Sequence, residues 1–414
     1  MDVFSQIDNS AFENEQKSSK IDETRRMLYE IRDIPTYKNR EYKGVIVQDP
    51  NNLILETILD YLKKGTVDKT GILQIIQNDN NELNSYVVKN LMSQGVICEQ
   101  DLREIGIPDT FIDMLNRSYE PISFRPGGAI DRINKVSTEI YFWGIPSSGK
   151  TCAIGALLST LSRLDDGRVM RKDNDCQGYE YMTCLSSLFN DQTVMTLPAG
   201  TPVTATYEMA FDVYDKANLY HPITMIDLAG ELIRCMYKSD AQRQLNHEEE
   251  ETLETITNLL VSQTSKNQKI HVFVMEYGAE ERKYEGLPQS DYLDGAMNYI
   301  ERTGIFRKNT DAIILLVTKA DKAGHDMETQ SKKIKAYIEK YYSNFKGALD
   351  NLCISNEINN KKLITLFISL GDVCFQDYCF FSNRHAKNVV NRILSQTSTI
   401  DTSRRGLFKS IFGK

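Results

Sequence analysis

Residues 144–151 read GIPSSGKT and directly follow the apolar run EIYFW. Two glycines, a lysine and a threonine at this spacing fit GxxxxGK[ST]. Such a loop turns tightly and points successive backbone N–H groups at phosphate oxygens, helped by the helix N-terminus that follows it. On this reading Gly144, Ser147, Ser148, Gly149, Lys150, Thr151 and Cys152 form a phosphate cradle. Lys150 would reach the β- and γ-phosphates, and the Thr151 hydroxyl would ligate Mg²⁺. The pattern leaves the base open.

Two further stretches bear on the base and on what happens to the phosphate. The segment TMIDLAGE places Asp227 at a strand end, where a carboxylate can hold Mg²⁺, with Gly230 three residues on to meet a γ-phosphate through its N–H. Later, the run AIILLVT ends in Thr318-Lys319-Ala320-Asp321, which fits [NT]KxD. Taken in order, GxxxxGK[ST], DxxG and [NT]KxD resemble the Ras-like, translation-factor (TRAFAC) class of P-loop GTPases over roughly residues 138–395.

The resemblance implies GTP and GDP as ligands, Mg²⁺ as cofactor and GTP hydrolysis as the reaction. It implies that Asp321 accepts from the guanine N1–H and 2-amino group while the stem of Lys319 lies against the base. Adenine lacks that donor pair and would leave the carboxylate unpaired. Ser369-Leu370-Gly371 holds the position of the family's last base-binding turn, with a backbone N–H near Leu370 for the 6-oxo group. The "DLAGE" motif and long switch regions are also similar to the bacterial double-GTPase proteins.

Three departures qualify the resemblance. The metal-binding switch threonine is ambiguous: Thr201 is favoured, Thr204 is the runner-up, and Thr206 lies nearby. Glu231 stands where the family usually has a water-orienting glutamine, which adds negative charge beside the γ-phosphate and points to slow hydrolysis. The connection after Gly230 is long and includes NHEEEETLETITNLLVSQ (246–263), either simple stabilisation of a helix N-terminus or an enlarged switch. In the long stretch 163–202, Arg163, Arg168 and Arg171 are candidate arginine fingers. A nucleotide-binding scaffold without turnover, or an ATP-using protein in which TKAD is accidental, remain the alternatives.

Strands alternating with helices must position these loops. Apolar runs at 140–143, 203–213, 223–227, 270–277, 312–318 and 363–369 predict strands, with 203–213 alternating as an edge strand would. Helical periods fall at 150–162, 252–263, 291–302, 328–345 and 383–395. The expectation is a doubly wound, mostly parallel α/β domain over 138–400, preceded by an all-α module at 51–120 and a Pro/Gly linker at 121–137. Residues 1–50 read as a loosely attached polar arm. Within the module, Gly65, Val67, Ile72 and Ile75 echo Gly95, Ile97, Leu102 and Ile105 at an offset of thirty.

A net charge of −8 over 414 residues argues against a broad nucleic-acid-binding surface. The eight cysteines include no CxxC pair, and no apolar run approaches a membrane span. The expected setting is the cytoplasm, with protein partners met through the helical module and switch regions and a nucleotide-dependent dimer among the options. The tail TSRRGLFKSIFGK (402–414) carries Leu407, Phe408, Ile411 and Phe412 on one helical face, which suits a docked terminal helix, a partner helix or membrane contact.

Overall fold

The structure, a computed structural model, describes residues 18–28, 30–31, 41–42, 45–46, 49–77, 83–117, 130, 132–190, 193–198, 206–214, 219–261, 267–284, 286–306 and 309–401. The chain forms two compact units. The first comprises Met1–Pro121 together with Glu281–Leu287 and Asp372–Cys379, and the second takes the rest. The two later excursions fall inside the stretch that the sequence assigns to one α/β domain.

Among the described residues between 50 and 115 the first unit builds five helices: α1 (Pro50–Lys63), α2 (Lys69–Gln77), α3 (Ser85–Ser93), α4 (Glu99–Glu104) and α5 (Asp109–Leu115). Asp49 and Asn84 cap α1 and α3 by accepting from Asn51 N and Val87 N. The thirty-residue echo has a physical counterpart at the helix ends. Thr66 N donates to Tyr61 O at 2.9 Å and Gly65 N to Leu62 O at 3.2 Å; Val96 N and Gly95 N repeat this with Leu91 O and Met92 O, both at 3.0 Å. Gly65 and Gly95 both take left-handed φ (68° and 72°) with open space where a side chain would stand, so backbone conformation alone selects glycine there. A third cap of this kind at Gly106 lies outside the thirty-residue offset.

This unit is not wholly helical, because Glu41–Tyr42 and Val45–Ile46 pair as antiparallel strands. Nor is the N-terminal arm loose throughout: residues 18–28 are helical, and Met27, Leu28 and Ile31 are buried. Asp377 accepts from Ser85 N and Oγ at 2.9 and 2.6 Å, which joins the excursion 372–379 to the start of α3.

The second unit is mixed α/β around a mostly parallel sheet. Its strands are β1 (Thr138–Trp143), β2 (Val169–Lys172), β3 (Tyr207–Tyr214), β4 (Leu219–Asp227), β5 (Gln268–Glu276), β6 (Thr310–Thr318), β7 (Ile364–Phe367) and β8 (Ile400–Asp401). They run in the order β7-β6-β5-β1-β4-β3-β2, with β8 beside β4. Neighbours from β7 to β4 are parallel, and β3, β2 and β8 are antiparallel additions. Every residue of β1 is buried, and eight of the nine in β5, as strands covered on both faces are.

Register decides where the motifs meet. Phe142 pairs with Asp227, Trp143 with Phe273, Thr318 with Glu276, and Val317 with Phe367. The carboxyl ends of β1, β4, β5, β6 and β7 are therefore level, and the loops leaving them crowd one edge of the sheet, where open α/β sheets bind ligands.

Several expectations change in detail. The alternating run at 203–213 is not an edge strand: β3 is flanked by β4 and β2, and the edge is β2, too short and basic to stand out. The stretch 163–202 holds β2 and a helix absent from the sequence reading. The predicted helix 328–345 is two helices, broken where Tyr342 takes φ −133°, ψ 26°. No helix among the described residues is long and apolar enough to cross a membrane. The tail 402–414 and most of the linker lie outside the described residues.

Candidate functional site

The helices that frame the site are α6 (Lys150–Ser162), α7 (Tyr179–Leu188), α8 (Glu231–Asp240), α9 (His247–Val261), α10 (Gln289–Thr303), α11 (Met327–Tyr341), α12 (Ser343–Ser355) and α13 (Arg384–Leu394). Loop 144–149 leaves β1 and enters α6. Gly144 packs against β5, where a Cβ would stand 2.8 Å from Val274 O. Ser147 and Gly149 take left-handed φ (64° and 81°), which turns the chain sharply into the helix. The Ser148 hydroxyl is buried and has no hydrogen-bond partner, an orphaned donor inside the loop.

The loop after β4 closes on this turn. A Cβ on Gly230 would lie 2.6 Å from Pro146 N, so only glycine lets the two backbones approach this closely. Asp227 is fully buried and gathers three donors: Lys150 Nζ in an ion pair, Tyr181 OH at 2.7 Å and Thr151 Oγ1 at 3.4 Å. A buried carboxylate needs such partners, because desolvation without pairing is costly. Cys152, one residue on, has its thiol pushed up to about 11 by burial, so it stays protonated.

Glu231 opens α8 and is 7% exposed. Burial lifts its carboxyl from the ordinary 4.5 to about 7, against the smaller opposing pulls of its own backbone N–H and the Lys150 ammonium. It is therefore close to half ionised at neutral pH. Farther along, Asn246 and Glu249 form a reciprocal capping box at α9, each N–H bonded to the other's side chain at 3.0 and 2.9 Å. Glu249 also pairs with Arg234 at 2.7 Å and Lys238 at 2.9 Å on α8. The acidic start of α9 is thus a helix cap that is also tied to the helix carrying Glu231.

The third motif lies against the first. Thr318 Oγ1 donates to Ser148 O at 2.6 Å, and Lys319 takes left-handed φ 55° as the chain enters a 3₁₀ turn. Asp321 sits exposed on that turn. Ala320 N donates to Ile368 O at 3.2 Å, which brings in the turn at Ser369 and Leu370. Ser369 N donates to His385 Nδ1 at 3.0 Å from α13. That acceptor nitrogen carries no proton, in keeping with burial lowering the His385 pKa.

The structure thus brings Gly144–Cys152, Asp227, Gly230, Glu231, Thr318, Lys319, Asp321, Ser369 and Leu370 to one edge of the sheet. Thr201 and Thr204 lie outside the described residues, and Thr206 is buried. The three candidate arginines are engaged elsewhere. Arg163 caps the far end of α6 and donates to Phe189 O. Arg168 bonds Asp166 and Asn391, and Arg171 lies over the Tyr214 ring.

Tyr181 is the main residue that sequence reading misses. It stacks on Tyr207 with ring centroids 3.8 Å apart and reaches Asp227 from 46 residues away, a contact no local pattern signals. Glu276, bonded to Lys319 at 2.6 Å, is the second. Among the described residues no cluster of three or more His, Cys, Asp or Glu side chains forms a metal site. The hard oxygen donors at hand are Asp227 and Thr151.

No protein-family model matches the chain, and no curated protein matches it. Among solved structures, it is similar to a protein from Plasmodium falciparum named nucleolar GTP-binding protein 1, at 15% identity over 67% of this chain and 94% of that one. The TM-score of that comparison is 0.26, too low to establish a common fold.

Proposed function

We propose that the chain binds GTP and hydrolyses it slowly, acting as a nucleotide-controlled switch for partners met by its helical stretch at 50–115. The observation that carries this reading is the convergence of three segments far apart in sequence. Gly230 touches the backbone of Pro146, and Thr318 bonds the carbonyl of Ser148, so the three lie around one turn. The orphaned Ser148 hydroxyl supports a ligand at the same loop.

In this reading the phosphates lie on the N–H groups of 147–152, and Lys150 exchanges Asp227 for phosphate oxygens. Thr151 and Asp227 are the oxygen donors suited to Mg²⁺, a hard cation that keeps water and phosphate oxygens as its other ligands, and which would neutralise charge on the β- and γ-phosphates. Thr201 would complete that shell, and Gly230 would meet the γ-phosphate. Glu231, poised near neutral pH, would orient the attacking water and accept its proton. Asp321 would accept from the guanine edge, Lys319 would lie along the base, and Ser369 and Leu370 would close over the 6-oxo group. The expected setting is the cytoplasm; a dimer across the nucleotide belongs to the same reading.

One observation favours a second reading, a GTP-binding scaffold without turnover: the catalytic position holds a buried carboxyl near half protonation rather than a glutamine. The decisive experiment has two stages. Nucleotide-free protein is titrated with GTP, GDP and ATP in Mg²⁺, following the fluorescence of Trp143 beside Gly144, and the titration is repeated with Asp321→Ala. Tight guanine binding that Asp321→Ala abolishes supports the reading, whereas equal ATP binding in both proteins sinks it. Single-turnover phosphate release that disappears in Lys150→Ala then separates the enzyme from the scaffold.

A further inference from the structure

We infer that Glu276 is a positioning residue for base recognition, holding Lys319 so that its aliphatic stem forms a ready-made platform for the purine. This inference rests on the proposed guanine site and deepens it.

Glu276 ends β5, level with Thr318 at the end of β6, and its side chain is 3% exposed. A carboxylate so buried is costly unless paired, and it pairs with Lys319 Nζ at 2.6 Å and Lys322 Nζ at 3.7 Å. The two lysines differ in what they present. The Lys322 side chain is 13% exposed, whereas that of Lys319 is 39% exposed although its ammonium is anchored. A lysine whose head is fixed on a buried carboxylate while its side chain stays part-exposed offers a held, largely aliphatic strip. Asp321 follows two residues on, in the 3₁₀ turn that Lys319 opens.

The anchor is itself held in place. Glu276 N donates to Gln289 Oε1 at 3.2 Å, Tyr337 OH donates to Glu276 O at 3.3 Å, and Gln289 Nε2 donates to Tyr342 OH at 2.8 Å. At the other end of the strip, the left-handed backbone of Lys319 is fixed by Thr318 bonding to Ser148 O and Met275 O. A free lysine side chain would lose its rotamer freedom only when the base arrived; here that ordering precedes binding.

The test compares GDP with tripolyphosphate, which engages the phosphate loop but carries no base. Glu276→Gln removes the charge that draws in the ammonium and keeps the side-chain size. The expected result is about fivefold weaker GDP binding, the usual scale for ordering one long side chain. Tripolyphosphate binding should be unchanged. Glu276→Asp, which keeps the charge but shortens the reach, should fall between. In a Lys319→Met background, where Lys322 still pairs the carboxylate, Glu276→Gln should have no further effect. Equal GDP binding by wild type and Glu276→Gln overturns the inference. So does an undiminished effect in the Lys319→Met background, or an equal loss with tripolyphosphate. If wild-type protein binds GDP no better than tripolyphosphate, the guanine site itself is wrong and the inference falls with it.

Discussion

The proposed phosphate end and the proposed base end of the candidate site are built differently. At the phosphate end, one short segment supplies the loop, the lysine and the threonine, and the buried Asp227 pairs with the lysine. At the base end, the side chains come from the ends of β5, β6 and β7, and Asp321 remains exposed. The first is a dense, charged, prepaired cluster; the second is a set of turns fixed by backbone hydrogen bonds and one anchored lysine. A highly charged ligand end needs charge held in reserve, while a planar base needs surfaces already in place.

Breaking the phosphate end should give the largest effect. Lys150→Ala should weaken triphosphate binding and slow hydrolysis by about 10²–10³-fold. It should also leave Asp227 buried with one cation fewer, destabilising the protein by roughly 3–5 kcal/mol in urea melts. Retention of both stability and binding would dissolve the contrast. At the base end, Asp321→Ala should cost roughly a hundredfold in GDP affinity, from losing hydrogen bonds to a charged acceptor, with little change in melting because the residue is exposed. A fall in ATP and GDP affinity alike would mean that the turn does not read guanine.

Glu231 sharpens the comparison through pH. Its folded-state pKa is raised, so the folded protein holds a proton that the unfolded chain has lost between about pH 4.5 and 7. That contribution, about 3 kcal/mol at most, is fully present below pH 4.5 and is lost as pH rises through 7. Wild type should therefore lose stability relative to Glu231→Gln over that window, and hydrolysis should rise through about pH 7 in wild type only. Parallel stability curves would refute the buried carboxyl. The smallest effect belongs to Tyr181→Phe, which keeps the stack on Tyr207 but removes the bond to Asp227. It should cost about 1–2 kcal/mol of stability and raise the Mg²⁺ needed for nucleotide binding, with Mg²⁺-free binding unchanged.

Legibility in the sequence follows the same division. The loop at 144–151 is readable because its residues act within one turn of chain, and the central strands are readable because burial on both faces leaves unbroken apolar runs. The strand β2 and the helix α7 are not, since a short exposed edge strand and a helix packed through Tyr181 leave weak periodic signals. The break at Tyr342 is equally silent, because helical spacing continues on both sides of it. The glycine caps at 65 and 95 show the intermediate case: the residue is legible, and its left-handed conformation gives the reason.

By itself the sequence determined the elements whose chemistry is local: the glycine-bearing turn at 144–149, the apolar strands, the glycines that end helices, and the order of the three motifs. Tertiary structure alone decided that Gly230 lies on Pro146, that Tyr181 and Lys150 share Asp227, and that Glu276 anchors Lys319. The physical reason is that strand register, set by which apolar faces bury together, levels the ends of β1, β4, β5, β6 and β7. Only after that alignment do side chains separated by tens of residues come within hydrogen-bonding distance.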